Sequence, residues 1–336
     1  MKSEKPKNST KSIILYVPSY FHGFREIIEE NLEQMGFEVY SIKDAPHKYK
    51  LRGVLKPLIR VLRRVFLRDR NYKNYLNEIR LEKLITEQLR MVEVADFALI
   101  FRPDELSIKS LMEISGKTVS MYAYQWDGFP RFPRIYERLK LFKKVYCVDV
   151  NDVGTESNVF SEKNFYFEIN STVCPRTPGK LCSTAYYIGT YDKERADSLR
   201  QIATQLRQLK IKTEINILGC PIIMHSWANR LDKARQYLDV IKDVKSSDIL
   251  IDVDLRDMHE VLTFRVFEAI GYQKKLITTN VLIKNCDFYH PSNIFLFNGS
   301  IDELNDFLAK PMATLPLDLL KKYSFTEWVN RVLEIN

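Results

Sequence analysis

What this chain lacks narrows its class before anything it contains. Cysteine is scarce: Cys147, Cys174, Cys182, Cys220 and Cys286 are odd in number, widely scattered and without a C-x-x-C spacing. That argues against a disulfide frame or a zinc site and suits a reducing compartment. No apolar run approaches the ~18 residues that cross a bilayer. The start, MKSEKPKNSTKS, is polar, and the apolar run behind it has the length of a strand. It lacks the h-region and cleavage site of a signal peptide, so the cytoplasm is the expected address. There is no internal repeat, no low-complexity tract, no zinc-finger spacing and no RNP-like aromatic motif, which leaves nucleic acid without a recognisable reader.

What is present is ordinary globular material. The chain has 336 residues, 45% of them hydrophobic and 28% charged, with a formal net charge of +8. That length is generous for one core and fits two α/β domains.

Strands and helices alternate from the start. Ser12–Val17 reads as a strand, Pro18–Gly23 as a loop, and Phe24–Met35 as a helix closed by Gly36 in the C-cap position. Phe37–Ser41, Ala95–Phe101, Lys117–Tyr124 and Val145–Val148 are further strands, with a helix expected to enter through Pro133. Asn170–Leu181, rich in turn residues and without periodicity, reads as a linker. A second half restarts with a strand at Tyr186–Gly189, a helix at Lys193–Lys210 and a strand at Glu214–Leu218. It ends with a strand at Ile294–Phe297 and a helix at Ser300–Leu308. The expected domains are 1–169 and 182–320, with a C-terminal helical segment over 321–336.

The most informative stretch is Ser246–Asn280. A buried strand (Ile249–Val253) leads to a polar loop with Glu260, a helix through Arg265 and Glu268, and another strand (Lys275–Thr279). This is the pattern of a βαβ unit in a parallel sheet, whose ligands bind where strand ends meet helix starts. Within it, Arg265, Phe267, Glu268, Ala269, Gly271, Lys275, Leu276, Ile277, Thr278, Thr279 and Asn280 match an R-x-F-E-A-x-G-x-x-K-x-L-I-T-T-N signature. On these residues the chain resembles GT-B fold glycosyltransferases. More closely, it is similar to bacterial lipopolysaccharide and capsular polysaccharide biosynthesis transferases with a family 4-like second domain. The resemblance covers most of the second half well and the first half loosely.

The resemblance implies two Rossmann-like domains facing a cleft. It also implies that Glu260 and Glu268 reproduce an E-x7-E pair, Glu268 holding the donor ribose and Glu260 lying nearer the sugar. A carboxylate suits that task because it accepts two hydroxyl hydrogen bonds, each strengthened by its charge. Two surface acids near a helix N-terminus would read the same. Arg265 shares a helix face with Glu268 and is placed either for a donor phosphate or for an ion pair with that glutamate.

Gly189-Thr190, with Lys193 or Arg195 at the following helix start, is the natural diphosphate cradle. The family's usual Gly-Arg pair reads Gly189-Thr190 here. Asp252-Val253-Asp254 matches the D-x-D of metal-dependent transferases, but it sits at the end of an apolar strand in a GT-B pattern. No metal is expected, and no cofactor, the nucleotide-sugar being a substrate. On the acceptor side, Tyr20 and His22 occupy the first βα loop. Trp126 and Asp127 follow a strand, Trp126 suited to stack on a sugar ring and Asp127 to accept hydroxyls or a proton. A solvent-exposed His22 and a turn-forming Asp127 are the bland alternatives.

Two further segments bear on partners. Lys48–Lys73 crowds basic residues, among them Arg60, Arg63, Arg64 and Arg68, onto an interleaved apolar stripe. Such a helix can dock on an anionic membrane surface; a solvated basic face on a packed helix is the alternative. The final helix, Ser324–Leu333, aligns Phe325, Trp328, Val329 and Val332. That stripe fits packing on its own domain or, as the resemblance implies, back on the first. Taken together, the expectation is a cytoplasmic enzyme, peripheral on the inner face of the membrane. It would move a sugar from a nucleotide-sugar to a lipid-linked or polysaccharide acceptor, without a metal and with retention. An inverting transferase using Asp127 or His22 as base, and a non-catalytic protein that binds nucleotide-sugar or polysaccharide, are the competing readings.

Overall fold

The computed structural model describes residues 10–44, 72–168, 182–254 and 261–335. Arg60, Arg63, Arg64 and Arg68 of the basic segment, Glu260 and the linker 170–181 lie outside the described residues. The chain divides into two compact units. The first comprises residues 1–21, 28–146 and 154–160; the second comprises residues 22–27, 147–153 and 161–336.

The first unit is built on a six-stranded sheet of order β2-β1-β3-β4-β5-β6. Its strands are β1 (Ser12–Tyr16), β2 (Glu38–Ile42), β3 (Ala95–Phe101), β4 (Thr118–Gln125), β5 (Lys144–Cys147) and β6 (Val159–Ser161). β1 runs parallel to both β2 and β3, and β3 parallel to β4. All five residues of β1 are buried, as a strand covered on both faces requires. Helices α1 (Phe24–Gln34), α2 (Tyr72–Leu89) and α3 (Ile108–Ser115) make the crossovers. Gly36 takes φ +89°, so it closes α1 in the left-handed conformation expected of a C-cap glycine. The helix anticipated at Pro133 is absent. Three single 3₁₀ turns stand there instead, Phe129–Arg131, Pro133–Ile135 and Leu139–Leu141. Pro130 and Pro133 each remove a backbone donor, too close together for an α-helix to propagate between them.

The second unit holds a fully parallel sheet of order β12-β11-β10-β7-β8-β9. Its strands are β7 (Thr184–Thr190), β8 (Lys212–Leu218), β9 (Asn229–Leu231), β10 (Ile249–Asp252), β11 (Lys275–Thr278) and β12 (Ile294–Leu296). Counted from β7, this is the order 3-2-1-4-5-6 of a dinucleotide-binding sheet, whose order reverses between β7 and β10. The helices are α4 (Lys193–Gln208), α5 (Tyr237–Ser246), α6 (Phe264–Gly271), α7 (Ile301–Ala309), α8 (Leu317–Lys322) and α9 (Phe325–Val332). β10 and β11 are buried at every position, and Ile249, Ile251 and Ile277 meet Leu199, Ile202 and Phe307 in the core.

Helix α9 opens on an N-cap in which Ser324 Oγ accepts the Glu327 amide. It buries Phe325, Trp328, Val329 and Val332. Phe325 and Trp328 lie against Phe165, at ring separations of 5.0 and 4.5 Å. Residues 161–168, which the sequence reading counted with the first half, group with the second unit.

Candidate functional site

In the second unit the candidate residues read from the sequence follow the carboxyl ends of β7 and β10. The strand β10 ends at Asp252, whose Oδ1 accepts the Thr263 hydroxyl at 2.8 Å and whose Oδ2 accepts the Thr278 hydroxyl at 3.0 Å. Both oxygens of this first D-x-D carboxylate therefore tie β11 and the start of α6 to β10. Thr263 is the N-cap residue of α6, but its hydroxyl is spent on Asp252 and caps nothing. The first turn of α6 carries no acid. Thr263 therefore gives its side chain to β10 rather than to the first turn of α6.

Glu268 lies one turn further along α6 and is 1% exposed. Its Oε1 accepts the Tyr237 hydroxyl at 2.5 Å, and its Oε2 lies 3.2 Å from Nη1 of Arg265. The Arg265 guanidinium stands 5.6 Å from the Tyr186 ring centre. Burial pushes the Tyr237 phenol well above its ordinary pKa, and the Glu268 charge adds to the effect. Burial opposes the charge of Arg265, but Glu268 together with Tyr186, Tyr237 and Asp252 outweighs it and the guanidinium is held more firmly protonated. Phe24, at the first turn of α1, packs edge-on against Tyr237 and Phe264 at 4.9 and 5.3 Å. The structure thus joins Glu268 and Arg265 as the sequence placed them, and adds Tyr237, which no motif marked.

The loop after β7 differs from the expected diphosphate cradle. Asp192 caps α4 and accepts the amides of Glu194 and Arg195 at 2.9 and 3.2 Å. With an acid in the cap and Glu194 in the first turn, this helix end is already satisfied by negative charge. Lys193 is exposed and Arg195 half-buried. Gly189 has a packing reason: a Cβ there would stand 2.6 Å from the Tyr187 hydroxyl. Thr190 ends the strand at an exposed position.

Much of the matched signature serves the fold. A Cβ on Gly271 would stand 2.1 Å from the Tyr166 ring, so only glycine admits that contact. Lys275, fully buried, donates to the carbonyls of Phe307 and Lys310. Asn280 caps the turn Val281–Asn285 through Leu282 N at 3.0 Å and donates to Val261 O at 3.0 Å.

The first unit has its own charged cluster, where the order of its sheet reverses between β1 and β3. Arg102, directly after β3, is 3% exposed and takes φ 54°, ψ 62° ahead of Pro103. A non-glycine residue rarely adopts that conformation, least of all before proline. Its guanidinium grips Asp104 at 2.7 and 2.8 Å and reaches Asp127 at 3.0 Å. It also lies 3.7 Å from the Phe132 ring centre. Burial opposes its charge, and Asp104, with Tyr20 and Asp127 behind it, together more than restore it. Arg131 takes the other oxygen of Asp127 at 3.2 Å. The Tyr20 hydroxyl donates to Glu105 Oε1 at 3.2 Å. Trp126 sits edge-on to Phe21 at 4.5 Å.

Tyr20, Trp126 and Asp127 therefore belong to one neighbourhood, as read from the sequence. His22 is exposed and groups with the second unit, where its carbonyl accepts the Tyr237 amide at 2.8 Å. Arg102, Asp104 and Glu105 were missed, although an Arg-Pro-Asp-Glu run at a strand's carboxyl end was the available signal. Among the described residues no helix is long and apolar enough to cross a membrane.

No protein-family model matches the sequence, and no curated protein matches it. Solved structures do match over almost the whole chain. A UDP-forming α,α-trehalose-phosphate synthase from Burkholderia xenovorans, in complex with glucose-6-phosphate, aligns with a TM-score of 0.55 at 12% identity, covering 96% of this chain and 99% of that one. The corresponding enzyme of Burkholderia vietnamiensis gives 0.55 at 10% identity, with the same coverage. An α-glucosyltransferase in complex with UDP and a 13-mer DNA gives 0.55 at 11% identity, covering 97% and 93%. The chain has the GT-B glycosyltransferase fold.

Proposed function

We propose that this protein is a glycosyltransferase that moves a sugar from a nucleotide-sugar donor to a lipid-linked or polysaccharide acceptor. The observation that carries the reading is the buried Glu268 beside Arg265 on α6, the helix that follows the carboxyl end of β10. In this reading the start of α6 and Arg265 receive the donor diphosphate, and Glu268 receives the ribose. The Tyr237 hydroxyl then holds the place that a ribose hydroxyl takes when the donor binds. The chain's likeness to enzymes described as UDP-forming or UDP-bound favours a uridine nucleotide among the candidates.

Transfer breaks the bond between the anomeric carbon and the diphosphate oxygen, whose electron pair leaves with the diphosphate, while an acceptor hydroxyl oxygen bonds to that carbon and gives its proton to the departing diphosphate. Positive charge and helix amides preset around that oxygen stabilise it as charge develops. With both Asp252 oxygens engaged by threonine hydroxyls, this reading assigns Asp252 to the fold rather than to a metal. Retention of configuration belongs to the same reading through Glu260.

The basic segment 48–73 supports a place on the inner face of the cytoplasmic membrane. Its test is salt-sensitive binding of the intact protein to anionic vesicles. The catalytic reading itself is tested by donor binding. UDP-, GDP-, ADP- and CMP-sugars should differ in how far they raise the unfolding temperature, because a ligand of the native state stabilises it.

A further inference from the structure

We propose that the turn between β8 and β9 in the second unit is a bilayer contact. Ile222 and Ile223 wedge into the headgroup boundary of an anionic membrane, and the cations beside them meet lipid phosphates. The contact stands apart from the transferase reading, and it is distinct in sequence from the basic segment 48–73.

The first ground is exposure on a rigid support. Ile222 is 75% exposed and Ile223 85%, the highest figure for a large hydrophobic residue among the described residues. A single exposed isoleucine is ordinary surface, but an adjacent pair is apolar area that favours a cover. The pair is not on a loose loop. Behind the 3₁₀ turn Ile222–Ser226, Cys220, Trp227 and Ala228 are buried in the core, and Met224 packs against it. The amides of Trp227 and Ala228 both donate to the Met224 carbonyl at 3.0 Å.

Two arginines clamp the ends of the turn. Arg230 of β9 donates to the Cys220 carbonyl at 2.7 Å. Arg207 of α4 donates to the Trp227 carbonyl at 2.9 Å and, through Nε, to the Thr213 hydroxyl at 2.7 Å. The isoleucines are thus held in place before anything binds, which removes the entropy cost of ordering them.

Charge says what covers them. Residues 206–234, which build and flank the turn, carry Arg207, Lys210, Lys212, Arg230 and Lys233 against Glu214 and Asp232. Asp232 is taken by Arg230 at 3.0 Å, and Lys210, Lys212 and Lys233 are exposed. Through Thr213, Arg207 also ties the start of β8, next to Lys212, to the end of the turn. An apolar tip flanked by cations is the composition that settles at the surface of an anionic bilayer. A second copy of the chain fits poorly. Two side chains cover far less than the roughly 800 Å² per partner of a standard protein interface. The edge strand β9 has three residues with Arg230 in the middle, which discourages edge-to-edge pairing.

The test uses the full chain in flotation with phosphatidylcholine vesicles, with and without phosphatidylglycerol, at low and high salt. Wild type should bind the anionic vesicles, and part of that binding should survive high salt because apolar burial is not screened. Ile222→Ser combined with Ile223→Ser should lose the salt-resistant part. Its apparent affinity should fall about ten- to a hundredfold, with an unchanged unfolding temperature. Ile223→Trp should show fluorescence quenching by brominated acyl chains beyond that of wild type, since it places a ring at the contact. Binding that is wholly salt-sensitive and untouched by the serines would overturn this contact and leave segment 48–73 as the membrane-facing one. Absence of vesicle binding, or no added quenching, would overturn it too. So would self-association in sedimentation that the serine pair abolishes, which would give the face to a second copy. Protection by nucleotide-sugars, measured separately, decides the transferase reading alone.

Discussion

The Tyr237 hydroxyl donates to Oε1 of Glu268 at 2.5 Å, while Arg265 stands 3.2 Å from Oε2, and the two occupy the carboxylate on which the donor reading depends. Tyr237→Phe leaves Oε1 buried without its donor, which should lower stability by about 1–3 kcal/mol. A ribose hydroxyl can replace the missing phenol. The bound nucleotide should therefore raise the unfolding temperature of the variant by more than it raises that of the wild type. Equal or smaller protection would mean that Tyr237 and Glu268 form a purely structural pair.

Gly271 carries a steric prediction. Because its Cα faces the Tyr166 ring, Gly271→Ala should cost about 1–3 kcal/mol or more by overpacking. Pairing it with Tyr166→Leu should recover part of that loss, seen as non-additivity in a double-mutant cycle from denaturant unfolding. Strict additivity would show that the ring and the glycine do not oppose each other.

Asp248 gives a pH prediction. Its Oδ2 accepts the amides of Ser183 and Thr184 at 2.8 and 3.1 Å, and their hydroxyls at the same two distances. Burial opposes the charge, but these four donors prevail and hold the carboxyl below its ordinary value. A folded pKa below the unfolded one adds stability that is complete above the unfolded value, near 3.9. It is lost as pH falls through the lower folded value. Asp248→Asn should therefore be less stable than wild type at neutral pH, by about 1–3 kcal/mol. The gap should narrow as pH drops below about 4 in parallel denaturant titrations. A gap independent of pH would remove the ionised form from the account.

Asp252 separates the metal-dependent reading from the present one. Asp252→Asn should weaken the links to Thr263 and Thr278 and lower stability. Donor turnover by the wild type should persist in excess EDTA. Turnover abolished by the chelator and restored by manganese or magnesium would reassign this carboxylate.

The pattern of the second sheet was legible because its central strands β10 and β11 are short apolar runs buried at every position, and α4, α6, α7 and α9 start at Asp, Thr or Ser. Ser300 and Ser324 cap α7 and α9 as S-x-x-E signals should. The signature around Glu268 was legible too, although Gly271, Lys275 and Asn280 turned out to explain packing and turns rather than ligands. Tyr237 was not legible. Its role depends on α5 and α6 meeting in space, across 31 positions of sequence. Arg102 was passed over for a related reason: an arginine at a strand end reads as a surface charge until the fold buries it among acids. The cradle at Lys193 and Arg195 was read from their place at a helix start after a strand end, and the cap formed by Asp192 was not weighed.

The central claim is tested most directly by the dissociation constant of a nucleotide-sugar for wild type and Glu268→Gln, with unfolding temperature as the control for folding. The account predicts that one nucleotide class protects the wild type and that the variant, still folded, binds it about ten- to a hundredfold more weakly. Protection by none of the UDP-, GDP-, ADP- or CMP-sugars, or equal affinity in a folded variant, would contradict it.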